Sequence, residues 1–156
     1  MLKIGVFSFA GCEGCVIEFV EMLNDNYEKW KNLIDFRYAK ILKGNNDLKN
    51  LDVAFVEGAI ASEKDVERIK EIRGNCKKLV AIGTCATTGQ PAGQRNFFNE
   101  EQKNEVAPLV EKFHQLPKVL SVKEVVKVDF EVPGCPMIDE KFIEVLNSLL
   151  KEFNVT

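Results

Sequence analysis

The chain has 156 residues, 46% of them hydrophobic and 29% charged, with a net charge of −3 at pH 7. This composition fits one soluble globular domain over residues 1–156 and excludes a disordered or membrane-embedded chain. The slight acidity argues against nucleic acid as a partner, and no apolar run approaches the ~18–20 residues of a membrane span.

The opening MLKIGVFSF lacks a basic leader, so a cytoplasmic setting is expected. In that reducing compartment five cysteines are better explained as metal or redox groups than as a disulfide framework.

Residues 3–9, KIGVFSF, read as a buried strand, and Val16, Phe19, Val20, Leu23, Tyr27 and Trp30 give helical spacing over roughly 15–31. LIDFRYAKI (33–41) is a second strand, closed by a polar loop with Gly44, Asn45 and Asn46; LDVAFVEG (51–58) is a third. Ser62 reads as the N-cap of a helix to about Arg73, and KKLVAIG (77–83) as a fourth strand. A glycine-rich loop, TCATTGQPAGQRNFF, leads to a helix from about Glu100 to Phe113. Residues 119–132 contain a fifth strand, and a last helix runs from Asp139, read as its N-cap, to Phe153. Alternating strands and helices predict an α/β fold: a three-layer, flavodoxin-like parallel sheet with helices on both faces.

On this map Cys12 and Cys15 follow the first strand, Cys85 lies just past the fourth and Cys135 just past the fifth. All four are expected at the carboxyl edge of one sheet, where open α/β folds build their sites. Cys76 precedes the fourth strand and is expected at the opposite edge, roughly 20 Å from Cys85 at ~3.3 Å per residue; it reads as a bystander. A redox dithiol at Cys12 and Cys15 leaves Cys85 and Cys135 unexplained. Four convergent thiolates bind zinc or carry an iron–sulfur cluster. One CxxC and two singletons, each within two residues of a glycine, favour the cluster, because zinc sites usually pair two CxxC knuckles. Gly11, Gly14, Gly83 and Gly134 fit close backbone approach to the sulfurs, and each also fits a plain turn.

The motifs GCEGC, VEGAI (56–60), GTCATTG (83–89) and PGCP (133–136), in this order, resemble the small subunit of nickel–iron hydrogenases over nearly the whole chain. Singly they are weak; together they are specific. The resemblance implies that Cys12, Cys15, Cys85 and Cys135 hold a proximal [4Fe–4S] cluster. It also implies a large-subunit partner carrying the nickel–iron centre, and a further electron-transfer subunit, diaphorase or ferredoxin-like. The related quinone-proximal subunit of respiratory complex I has adjacent cysteines in its first loop, whereas Cys12 and Cys15 are separated by two residues. The eleven residues before Cys12, and VEGAI, resemble the soluble branches. With every plausible ligand used by Cys135, one cluster is expected. Gln90 stands where the family often has a second glycine. The alternatives are a complex-I-like iron–sulfur subunit and a non-redox interaction domain built on a four-cysteine zinc site.

Glu57, after the third strand, is a candidate for interface hydrogen bonding or proton relay, or else a plain loop carboxylate. Glu13, between two ligands, tunes the cluster by its charge or is an exposed loop residue. Arg95 beside Phe97 and Phe98 fits an interface core or a hydrophobic cluster under the loop. His114 ends a helix, Trp30 reads as core, and Lys118, Lys123 and Lys127 as solvated charge.

Overall fold

The computed structural model describes residues 1–155. Strands β1 (Leu2–Ser8), β2 (Ile34–Ala39), β3 (Leu51–Glu57), β5 (Cys76–Ile82) and β7 (Phe130–Val132) form one sheet in the order β2-β1-β3-β5-β7, every neighbouring pair parallel. In chain order this is 2-1-3-4-5, the flavodoxin-like arrangement. A separate antiparallel pair joins β4 (Ile60–Ser62) to β6 (Gln115–Leu120).

The central strands are apolar on both sides because both faces are covered. Leu2, Ile4, Val53, Phe55, Val80 and Ile82 point to one core, closed by helices α1 (Gly14–Asp25), α2 (Tyr27–Trp30) and α6 (Asp139–Glu152). Phe7, Ala54, Val56, Leu79 and Ala81 point to the other, closed by α3 (Glu63–Gly74) and α4 (Gly83–Thr88). Ser62 caps α3 in a capping box with Asp65, and Asn99 does the same with Gln102 for α5 (Glu100–Lys112). The three-layer expectation holds, and Trp30 is core.

Besides adding the β4–β6 pair, the structure departs from the sequence pattern in four places. The helix expected over 15–31 breaks at Asn26, whose backbone and side-chain N–H groups both bond to the Met22 carbonyl and end α1. The glycine-rich loop contains α4, because Thr87 and Thr88 hydroxyls bond back to the carbonyls of Gly83 and Thr84. Gly89, at φ +80°, then stops the helix. The stretch 119–132 splits into the end of β6, a 3-10 turn at Val122–Glu124 and β7, since the Glu124 carboxylate holds the Ser121 N–H at 2.8 Å. Asp139 is the first helical residue of α6, and Ile138 occupies the N-cap.

Candidate functional site

Strands β1, β3, β5 and β7 end at one rim, and the four predicted cysteines meet there. Cys12 is exposed in the loop after β1, and Cys15 is buried in the first turn of α1. Cys85 sits half-buried in α4, and Cys135 is exposed after β7. Together with Glu57 and Thr84 they line a single cleft of about 190 Å³. Glu13 makes the turn between the first two in a left-handed conformation, φ 61°, and its carbonyl accepts from the Val16 and Ile17 amides. The Thr84 amide donates to the Gly134 carbonyl at 2.8 Å, tying α4 to the Cys135 loop.

Two glycines are required for this convergence. A Cβ at Gly83, φ +82°, would lie 2.3 Å from the Cys15 sulfur. One at Gly134, φ +114°, would lie 2.5 Å from the Pro136 carbonyl oxygen. Gly11 and Gly14 are looser, with nearest approaches of 3.0 and 3.3 Å.

Burial pushes the Cys15 thiol up to about 11; the Met137 backbone amide opposes this, while Glu57, Cys135 and Cys85 add to it. Burial likewise raises Cys85, against the Ala92 backbone amide, with Cys135, Glu57 and Cys12 contributing. Each of these thiols disfavours ionisation of its neighbours, and among the described residues no lysine or arginine lines their cleft. A polycationic group fits such a donor set. No three His, Cys, Asp or Glu side chains among the described residues gather closely enough to hold one ion. Four sulfurs around one cleft form a donor set of the kind that binds zinc or carries an iron–sulfur cluster.

Glu57 ends β3 at this rim, is 2% exposed, and leaves Oε2 without a hydrogen-bond partner. Burial raises its pKa and the Glu13 charge adds to this, while the Glu13 amide and the Ser8 hydroxyl act against them. An unpartnered buried carboxylate oxygen is costly, and this one lies on the same cleft as the four sulfurs.

Cys76 begins β5 at the opposite end of the sheet, where its thiol donates to the Arg73 carbonyl at 3.7 Å. Arg95 donates to the Pro117 and Ala61 carbonyls, both at 3.2 Å, so it clamps its loop to the β4–β6 pair. Phe97 beside it is 78% exposed and Phe98 half-buried. His114 follows α5 at φ 50°, with its carbonyl accepting from the Glu63 amide. Lys118, Lys123 and Lys127 pair with Glu124, Glu131 and Asp129. The sequence reading missed the amides of Met137 and Ala92 that face the sulfurs; main-chain donors carry no side-chain signal.

Residues 12–149 match the family described as NADH ubiquinone oxidoreductase, 20 kDa subunit. The chain is 32% identical to a subunit of the F420-non-reducing hydrogenase of Methanothermobacter marburgensis, over 96% of this chain and 54% of that one. It is 30% identical to the NAD-reducing hydrogenase HoxS subunit delta of Cupriavidus necator, over 96% of this chain and 78% of that one. It thus spans about half the length of the first of these relatives. A crystal structure of an NAD+-reducing [NiFe]-hydrogenase in the H2-reduced state contains a chain that superimposes with a TM-score of 0.79 at 26% identity, covering 97% of this chain and 92% of that one.

Proposed function

Because the chain belongs to the family that the 20 kDa subunit of NADH ubiquinone oxidoreductase shares with the small subunits of nickel–iron hydrogenases, we propose that it is the electron-transfer subunit of a cytoplasmic [NiFe] hydrogenase. Residues 1–156 act as one domain in this reading. Cys12, Cys15, Cys85 and Cys135 hold one [4Fe–4S] cluster, and a partner large subunit carries the nickel–iron centre. When bound, the cluster supplies one-electron storage between that centre and a further electron-transfer subunit, diaphorase or ferredoxin-like.

The observation that supports this best is the gathering of all four sulfurs on one cleft with no room for a side chain at Gly83. The chain's own groups divide the work. Cys15 and Cys85 anchor the covered side, where the Met137 and Ala92 amides stabilise negative sulfur. Cys12 and Cys135 form the exposed edge that meets a partner. Glu57 has a free acceptor at the same rim and serves as an interface hydrogen-bonding group or proton relay. Among the described residues no helix is long and apolar enough to cross a membrane.

The test is anaerobic affinity purification of this chain from its native host, followed by nickel analysis and an H2-dependent dye-reduction assay. A co-purifying large subunit with nickel and H2 oxidation is expected. A nickel-free assembly without hydrogen chemistry would overturn the proposal.

A further inference from the structure

The face of the sheet that carries α3 and α4 has no helix over β2, because residues 40–50 cross from β2 to β3 without one. A cavity of about 660 Å³ lies there, at the carboxyl ends of β1 and β2. Phe7 and Tyr38 line it, stacked with ring centres 4.5 Å apart. Arg68 of α3 reaches over both rings, 6.0 and 5.4 Å from their centres, and donates to the Tyr38 hydroxyl at 3.1 Å.

Lys40 and Lys64 join Arg68, itself paired with Glu71, on this cavity, in a chain whose net charge is −3. Neither lysine has an ion-pair partner among the described residues. Asp65 is already engaged, accepting from the Ala61 and Ser62 amides at 3.1 and 2.9 Å. The remaining carboxylate is Glu13, which also stands between two of the cleft cysteines, so the cavity adjoins the cysteine rim. Next to it Ile41 and Leu42 are 51% and 40% exposed.

We propose that this face is a docking site for an acidic, amphipathic helix of a partner subunit in the same complex. Such a helix supplies the layer that the β2–β3 crossover omits. Its apolar side covers Tyr38, Ile41 and Leu42, and its carboxylates meet Lys40 and Lys64. The apolar surface of Ile41 and Leu42 favours an extended partner over a small anion, which would fill the cavity and leave Leu42 bare. Cations without internal partners steer and orient an acidic surface. The inference rests on the reading that this chain works inside a multisubunit assembly.

The experiment uses the assembled complex. A photo-crosslinking residue replaces Ile41, and the captured peptide is sequenced; an acidic helical segment of a partner subunit is expected. In parallel, Lys40→Glu with Lys64→Glu should weaken subunit association about 10- to 100-fold at low salt and much less at high salt. Iron per chain, measured on the same samples, should not change. Crosslinks confined to a second copy of this chain, unchanged association, or a nucleotide recovered from the wild-type complex and lost in the double variant would overturn the proposal. If the captured partner is acidic and helical but the complex holds no nickel, the docking site stands and the hydrogenase reading fails.

Discussion

Gly83 stands against the Cys15 sulfur so closely that a single added methyl would come within 2.3 Å of it. The contact joins the β5–α4 turn to the first turn of α1, and it sets how near two of the four sulfurs approach.

Gly83→Ala is therefore expected to lose most of its bound iron while keeping the far-UV circular dichroism of the folded sheet. The methyl displaces Cys15 and also strains a residue at φ +82°, a cost of roughly 1–2 kcal/mol. Gly44→Ala is the control, since nothing lies within 4 Å of its added Cβ. Equal iron in the two variants would mean that Cys15 is not a ligand.

Cys76→Ala is expected to retain the full iron complement of the wild type, as it lies at the far end of β5. Its thiol bonds with Arg73, which also pairs with Asp129, and meets the Ala54 backbone amide, so a stability loss of about 1 kcal/mol is expected. Urea denaturation and iron analysis check both halves of the statement.

Much of this arrangement is legible in the residues. The carboxyl-edge placement of Cys12, Cys85 and Cys135 follows from where apolar strands stop, and it needs no knowledge of packing. Ser62 at the head of α3 is equally plain. The helix break at Asn26 is not, because Tyr27 and Trp30 keep the apolar period while a side-chain amide ends the helix. Helix α4 is hidden by glycine and threonine, poor helix formers that are held here by hydroxyl-to-carbonyl bonds. The cationic cavity over β2 escapes the pattern entirely, since Lys40 lies in the turn after β2 and Lys64 and Arg68 in α3, segments that meet only in space.

Glu57→Gln separates a relay from a structural carboxylate. The amide is nearly isosteric, so iron content should hold, and H2 turnover of the assembled complex should fall about 100-fold or more if the group carries protons. Unchanged turnover would assign Glu57 to packing alone.

At the opposite end of the sheet, burial works to raise Asp52, but Lys77 at 2.8 Å and the Lys3 amide at 2.9 Å hold its pKa below the ordinary range. A lowered folded-state value means that its contribution is complete above the unfolded value of ~3.9 and fades as pH falls through the folded one. Asp52→Asn should thus cost about 1 kcal/mol at pH 7, the pair being partly solvated, and distinctly less near pH 3. Urea midpoints at the two pH values decide it; an equal loss at both would show that the ion pair does not stabilise the fold.

Whether the four cysteines form one cluster cradle is decided by what they hold. The protein is purified anaerobically and analysed for iron, acid-labile sulfide and zinc, and an electron paramagnetic resonance spectrum is taken after dithionite reduction. A cradle requires about four iron and four sulfide per chain and one reduced-cluster signal. A colourless protein with about one zinc per chain, prepared without oxygen, would rule the cradle out.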